Sequence, residues 1–209
     1  VFNIFMKKTL LLFFISISLN AQTDLKSFFA LSGPKKSWVL SHPFKAKKAY
    51  EISMEVQRIS DSISKTNLLD GDASGGQVDA FRHAYWMARL HQEMGKSAAK
   101  SLGKAHEKEN HLMFKNNEKE DGIVPDEISS EMDLFNNTQG LLLISKNSDI
   151  SKTGLIYRVI NAIHEGKMKI IKKDKNGHFL TCDGTKISPD SLKGKWKNNK
   201  CLVASNQIP

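Results

Sequence analysis

The first side chains in this sequence that could do chemistry together are Asp79 and His83, in DAFRHAYWMARLHQE (residues 79–93). On a helix, residues four apart share one face. A carboxylate there can orient the imidazole and raise its basicity, or both groups can bind one metal ion. The alternative is that Asp79 stabilises the helix dipole and His83 is a hydrogen-bonded core histidine.

His106 and Glu107 form a second pair, in KAHEKEN (residues 104–110). Adjacent side chains point about 100° apart on a helix, so only one of them can aim well at a given centre. His106 shares a face with Leu102, which predicts that His106 is the better ligand or base and that Glu107 reaches in from the rim. The alternative is an exposed glutamate beside a histidine at the edge of the core.

Asp133, Asn136 and Asn137 form a third group, in MDLFNNTQG (residues 132–140). Their spacing places all three on one side of a helix. A carboxylate with two amides suits a divalent cation, or can hold a substrate by hydrogen bonds. The alternative is that one of the asparagines caps a helix that ends before Gly140.

The three groups together predict one site shared by three helices, because facing side chains build metal sites in helical bundles. A metal ion lowers the pKa of bound water, and a nearby carboxylate or imidazole moves the proton. The predicted ligands of one divalent ion, whose identity the sequence leaves open, are Asp79, His83, His106 and Asp133. The predicted catalytic groups are His83, His106, Glu107 and Arg82, the last stabilising an anion. The predicted substrate contacts are Tyr85, Trp86, Asn136 and Asn137.

Helical periodicity predicts the elements that must position these groups. The predicted helices cover approximately residues 43–64, 78–94, 97–111, 126–144 and 152–166. An Asn176–Gly177 turn between short strand-like runs predicts a β-hairpin. The expected fold class is therefore mainly α, a compact bundle of about five helices with a small C-terminal β-hairpin.

The ends of the 209-residue sequence predict its organisation. Residues 1–21 combine two lysines with an apolar run, which is typical of a signal peptide and too short for a membrane span. We therefore expect export to the periplasm or the medium, without a transmembrane anchor after cleavage. Residues 22–42 are expected to be an irregular lead-in, 43–166 the helical domain that carries the motifs, and 167–209 the hairpin and tail.

The formal net charge is +9, and many lysines lie in residues 34–50 and 167–178. They are not interleaved with aromatic residues in a binding pattern, which argues against specific nucleic-acid recognition. An unidentified substrate or an anionic envelope surface is the expected partner. Cys182 and Cys201 either form a disulfide in an oxidising compartment or remain free thiols.

The segments GGQVDAFRHAYW, GKAHE and MDLFNNTQG resemble a bacterial family catalogued as a domain of unknown function, whose members are often exported. The family pattern is DAxRHAYW, AHE and MDLxNNxxG in this order, and the resemblance covers approximately residues 43–144. It implies a mainly helical fold and supports one shared site. It implies no particular reaction.

Two functions of different classes remain open at this point. The first is an exported metal-assisted hydrolase that acts on an envelope or extracellular substrate. The second is a non-catalytic envelope-binding module in which the same polar groups form a structural hydrogen-bond network. Solvent access separates them, because an enzyme needs His83, His106 and Asp133 to converge on open space, whereas a network encloses and pairs them.

Overall fold

The computed structural model describes residues 28–120 and 122–207 and is mainly helical, so the predicted signal peptide lies outside the described residues. The helices are α1 (Gly33–Ser41), α2 (Pro43–Ile63), α3 (Gln77–Met94), α4 (Lys96–Lys115), α5 (Glu127–Leu142), α6 (Lys152–His164) and the short α7 (Pro189–Leu192). The strands are β1 (Lys169–Ile171) and β2 (Leu202–Ala204). The predicted fold class, a helical bundle with a small antiparallel pair of strands near the C-terminus, is confirmed.

Local capping explains where the predicted helices begin and end. The Asp126 carboxylate accepts a hydrogen bond from the Ser129 N–H, and the Ser129 hydroxyl accepts one from the Asp126 N–H, forming a capping box at the start of α5. The Ser151 hydroxyl caps α6 in the same position. α3 ends before Gly95, whose φ of 89° glycine tolerates without strain.

α3 is the central helix of the bundle and packs against α2, α4, α5 and α6. It is buried on almost every side, and Phe81, Tyr85, Met87 and Leu90 are completely inaccessible to solvent. A helix in this position normally carries apolar residues all round. The buried polar groups of α3, among them Asp79, His83 and Arg89, therefore need partners to offset their lost hydration.

α3 and α5 approach so closely that their contact admits only a glycine. A Cβ atom built on Gly140 would lie 2.2 Å from the backbone oxygen of Ala84. That oxygen belongs to the core helix and cannot be displaced as the end of a flexible side chain can. Gly140 therefore sets the distance between the helix that carries His83 and the helix that carries Asp133.

The C-terminal strands pair differently from the prediction in detail. The Asn176–Gly177 turn is present, and the Asp174 N–H donates to the carbonyl of His178 across it. However, the residues on the two sides of this turn form only isolated bridges. The strand that pairs with β1 is β2, with Ile170 opposite Val203. Cys182 and Cys201 form the predicted disulfide, which joins the end of this turn region to the start of β2.

The predicted irregular lead-in is wrong for residues Gly33–Ser41, which form α1. The Ser32 side chain caps this helix, and Pro34 follows in its first turn, where proline is well tolerated. Trp38 is buried and its indole N–H donates to the Ser101 hydroxyl at 2.8 Å, which holds α1 against α4. None of the described helices has the length and apolar character of a membrane span.

We predict that Gly140→Ala lowers the free energy of unfolding by roughly 1–3 kcal/mol or more, because the new methyl group overlaps the α3 backbone. Urea unfolding followed by circular dichroism measures this change. Gly33→Ala is the matched control, since a Cβ atom at Gly33 meets nothing within 4 Å. Equal stability of the two variants would contradict the close helix contact.

Candidate metal centre

Asp79, His83 and Asp133 bring their ligand atoms together in the core. The His83 Nε2 lies 3.5 Å from the Asp79 Oδ1 and 3.3 Å from the Asp133 Oδ1. One ligand atom from each residue falls within 4.8 Å of the other two, and all three residues are buried. This is the part of the predicted site that the structure brings together most closely.

The separations suit shared ligation better than direct hydrogen bonding. An N–H···O hydrogen bond has its donor and acceptor about 2.7–3.2 Å apart, so both contacts of His83 are long. Two ligands about 2.1 Å from one metal ion at a tetrahedral angle lie about 3.4 Å apart. The observed 3.3 Å and 3.5 Å agree with that spacing. The two separations from His83 therefore suit one divalent cation, and all three ligand atoms lie within 4.8 Å of one another.

The loop before α3 holds Asp79 in place. The Asp79 Oδ2 accepts a hydrogen bond of 2.7 Å from the Gly75 N–H, and the Gly75 carbonyl accepts one of 2.7 Å from the Ile171 N–H of β1. Asp70 caps the start of α3 by accepting from the Gln77 N–H at 2.8 Å. Loop, helix and sheet thus share one hydrogen-bonded junction, which fixes the carboxylate.

Burial shifts the protonation of the centre. Desolvation, together with nearby Asp79 and Glu107, raises the pKa of Asp133 well above its ordinary range. Desolvation, with the positive charges of Arg82 and His106, holds the pKa of His83 well below its ordinary value. His83 is consequently neutral, which is the form that binds a metal ion. A bound cation would offset the cost of ionising Asp133.

Several atoms around the centre lack hydrogen-bond partners among the described residues. They include the Asp133 Oδ1, the His83 Nδ1 and both amide atoms of Asn137. The Asn137 side chain lies close enough to His83 to oppose the fall of its pKa, yet without hydrogen-bonding geometry. Buried polar atoms in folded proteins are normally satisfied. Unsatisfied atoms concentrated here point to an ion or solvent that completes the site.

Glu107 lies nearer the centre than its expected place at the rim. It is buried, and neither of its oxygens has a hydrogen-bond partner among the described residues. Desolvation, with Glu120 and Asp79 nearby, raises its pKa to about 7. Asn110, one turn further along α4, is also buried with an unpartnered amide oxygen. A carboxyl group that titrates near neutrality beside a metal centre can transfer protons.

His106 lies beside the centre without joining the group of three ligands. Its Nε2 is 3.1 Å from Glu120 and its Nδ1 is 3.6 Å from Glu109, while its ring packs edge-on against Trp86. Despite desolvation, bonds to Glu109 and Glu120 raise its pKa to about 9. His106 is thus a cation in an ion-pair network, and its predicted role as a metal ligand stays a prediction.

Arg82 links the centre to its solvent edge. Its guanidinium donates to the Asp79 Oδ1 at 2.6 Å and lies 3.5 Å from the His83 Nε2. Arg82 and Glu120 keep 18% and 23% of their side chains exposed, whereas His83 keeps 3%. A small cavity of about 30 Å³ reaches Asp79 and Asp133 between them, with space for one or two water molecules.

The two asparagines lie inside α5, which continues to Leu142, so neither caps the helix end. The Asn136 amide donates to the Lys169 carbonyl and accepts from the Lys169 N–H, both at 2.9 Å. These two hydrogen bonds join α5 to β1, because they satisfy both backbone groups of Lys169. Asn137 instead faces the centre, near His83 and Gly103.

The predicted substrate contacts Tyr85 and Trp86 pack inside the bundle. Tyr85 is completely buried, with its hydroxyl directed at Glu55 of α2. The Trp86 indole N–H donates to the Ser53 hydroxyl at 3.0 Å. These contacts account for both side chains as helix-packing groups, and their role toward a substrate stays a prediction.

Sequence reasoning missed Glu120, Ser130 and the loop residue Gly75. Glu120 belongs to the connection between α4 and α5, and helical periodicity does not predict where a loop side chain lies. Ser130, which is buried beside Glu107, lies one turn before Asp133 and two turns before Asn137 on α5, so its position on a helical wheel could have indicated it. Gly75 acts through its backbone, which residue type does not reveal.

We predict that Asn136→Ala lowers the free energy of unfolding by about 2–4 kcal/mol, because it leaves the buried backbone groups of Lys169 unpaired. Asn137→Ala is the matched control, since it removes the same atoms one residue later and breaks no hydrogen bond to a described residue. Denaturant titration compares the two variants. A larger loss for Asn137→Ala would contradict the structural role of Asn136.

We predict that stability falls as pH rises from 6.5 through 9, because the folded-state pKa of His106, about 9, exceeds its ordinary 6.5. The contribution is complete below pH 6.5 and disappears as the imidazolium loses its proton, with a size on the order of 2 kcal/mol. His106→Gln lacks this decline. Both proteins carry Glu107→Gln, because the pKa of Glu107, raised to about 7, is held down by the His106 charge and would rise further in His106→Gln; unfolding is compared at pH 7.5 and 9.5. Parallel curves above pH 7 would contradict the assignment.

Comparison with known proteins identifies the domain that carries this centre. No curated protein and no solved structure matches the chain. Residues 36–167, from α1 to the end of α6, match the family described as Domain of unknown function (DUF6973). The match spans more than half of the sequence and includes every residue of the centre described above. The chain therefore belongs to this family of unknown function.

Proposed function

We propose that the protein is an exported metal-dependent hydrolase whose ion is bound by Asp79, His83 and Asp133. The observation that carries the proposal is the convergence of three ligand atoms at spacings of 3.3 Å and 3.5 Å, in a buried site whose Asp133 Oδ1 lacks a hydrogen-bond partner among the described residues. Three protein ligands leave positions for water, as catalytic metal sites require.

The surrounding groups supply the other elements of hydrolysis. A bound ion would lower the pKa of a water molecule, and Glu107, whose pKa is about 7, would accept the proton of that water as its oxygen attacks an ester or phosphoester. Glu107 then returns the proton to the leaving oxygen, so one water molecule is consumed for each bond broken. Arg82, at the solvent edge, stabilises the negative charge that develops on the substrate.

A structural network remains the competing function, and the same site provides evidence for and against it. The enclosure of His83 and Asp133, together with the direct Arg82–Asp79 bond, favours a network. The unpartnered atoms of Asp133, His83 and Asn137 oppose it, because a network is stabilising only when its members are satisfied. The unpartnered Asp133 Oδ1 lies 3.3 Å from the His83 Nε2, which favours an ion between these two ligand atoms over a closed network.

Export is part of the proposal and has two supports. The N-terminal residues have the composition of a signal peptide. The Cys182–Cys201 disulfide is typical of an oxidising compartment, such as the periplasm or the medium. An envelope or extracellular substrate follows from that location.

We predict that the mature protein binds one Zn²⁺ or Mn²⁺ per chain and that Asp133→Asn weakens this binding by at least about 100-fold, because it removes a charged ligand. Isothermal titration of chelator-stripped protein measures the affinity, and circular dichroism confirms folding. Asp126→Asn is the matched control: it removes a buried carboxylate from the start of α5 that is already paired with Lys200, so stability falls while metal binding persists.

The hydrolase is tested separately from the ion. Chromogenic esters and phosphodiesters are assayed with metal-loaded protein and with Glu107→Gln, which we expect to retain the ion and lose at least about 100-fold in rate. No metal binding by the wild type, together with a lower melting temperature for Asp133→Asn, would establish an enclosed stabilising network and refute the metal centre. Metal binding without hydrolysis of any substrate class would refute the enzyme alone.

A further inference from the structure

A second cavity opens next to the metal centre and is far larger. It has a volume of about 890 Å³ and lies between the end of α4, residues 117–126 and residues 187–195. Pockets that hold small organic ligands usually measure about 300–1,000 Å³. We call this cavity the basic groove, after the lysines that line it: Lys115, Lys119, Lys193, Lys195 and Lys200.

The charge of the basic groove is largely uncompensated. Lys115, Lys119 and Lys195 are exposed and form no ion pair with any described residue. Among the described residues that line the groove, the one carboxylate is Asp126, which is already bound by Lys200 at 2.6 Å. Positive charges around a concave surface raise the local concentration of anions.

The walls between the lysines are apolar. Phe114, Phe179, Ile187 and Leu192 line the groove, and Ile123 keeps 38% of its surface exposed there. Lysines alone would suit a fully hydrated anion, and apolar walls alone would suit a neutral hydrophobic compound. The combination fits a molecule with an anionic head and an apolar body.

The basic groove and the metal centre share a wall. Ile123, Val124, Pro125, Phe179 and Lys200 line both the groove and the small cavity that reaches Asp79 and Asp133. A ligand held in the groove therefore lies one side chain away from the centre. Arg82 lines the smaller cavity beside this shared wall, so the side of the centre next to the groove carries a positive charge as well.

We infer that the basic groove binds a small anionic amphiphile, whose phosphate or carboxylate contacts the lysines while its alkyl body packs on the phenylalanine and aliphatic side chains. Binding to the groove stands on the cavity and its charge. The further assignment of this amphiphile as the substrate class rests on the proposed function, because hydrolysis requires the metal centre.

The test titrates the full-length protein with decyl phosphate and follows tryptophan fluorescence. Trp196 reports on the groove because its ring lies 5.2 Å from that of Phe114. We expect Lys115→Glu/Lys195→Glu to weaken binding at least tenfold. Lys65→Glu/Lys100→Glu makes the same charge change at exposed lysines outside the groove and leaves binding unchanged.

The apolar contribution has its own pair of variants. Leu192→Ser removes an aliphatic contact from the groove, and Leu142→Ser removes an exposed leucine elsewhere. We expect weaker decyl phosphate binding only for the first. Inorganic phosphate alone should bind at least tenfold more weakly than decyl phosphate, because it lacks the alkyl body.

Amphiphiles with other head groups test whether the groove selects an anionic head. Decanoate binding as tightly as decyl phosphate supports a general anionic head, and preference for one identifies which head the lysines select. Equal binding of decyl maltoside or decyltrimethylammonium would overturn the inference, since anionic charge would then play no part. No binding of decyl phosphate would overturn it as well.

The two proposals fail separately. Decyl phosphate binding that persists in metal-stripped protein and in Asp133→Asn, without hydrolysis of any ester, would uphold the groove and refute the hydrolase. Metal-dependent hydrolysis that Lys115→Glu/Lys195→Glu leaves unchanged, with no decyl phosphate binding, would uphold the hydrolase and refute the groove.

Discussion

The close contact between α3 and α5 is the constraint on which the remaining structure depends. Because Gly140 has no Cβ atom, the α5 backbone can approach the Ala84 carbonyl. This approach brings Asp133 within 3.3 Å of His83 and aligns Asn136 with the edge of β1. A wider helix separation would satisfy neither contact. One missing methyl group thus positions both the candidate metal centre and the junction between the helices and the sheet.

That contact also creates an electrostatic problem, since it buries acidic groups together. Desolvation raises the pKa values of Asp79, Glu107 and Asp133, and neighbouring carboxylates raise each of them further, while His83 is held neutral. Arg82 compensates part of this charge from the edge. Buried carboxylates are a poor device for stability alone, because well-packed apolar groups are often as stable or more so. A cation bound at the centre would offset this cost.

Much of the fold could be predicted because its signals are local. Pro43, the capping box of Asp126 and Ser129, and Gly95 mark helix limits that depend on a few neighbouring residues. The partner of β1 could not be predicted, because its pairing with β2 joins residues 31 to 35 positions apart in the sequence. α1 was missed although Ser32 and Pro34 carried a capping signal, since its short helix has little amphipathic pattern.

The sequence likewise predicts one part of the candidate site and not the other. Helical spacing correctly grouped Asp79 with His83, and the order of motifs suggested Asp133 as their partner. It misjudged the relative placement of Glu107 and His106, because α4 is buried on two sides. The face of α4 that carries His106 contacts α1, because Glu109 lies beside His106 and forms an ion pair with Lys35. The face with Gly103 and Glu107 packs against α3 and α5. Periodicity cannot tell which of two buried faces adjoins a site.

The disulfide has a practical consequence for work on this protein. Cys201 is followed directly by β2, which pairs with β1, and β1 is bonded to both Asn136 of α5 and Gly75 beside Asp79. The preceding residue, Lys200, anchors the start of α5 through Asp126. Protein produced in a reducing cytoplasm lacks the disulfide that fixes the start of β2 and, through β1, supports the centre. Oxidative refolding, or recovery from a secreting host, is therefore the appropriate source of samples for any assay of the centre.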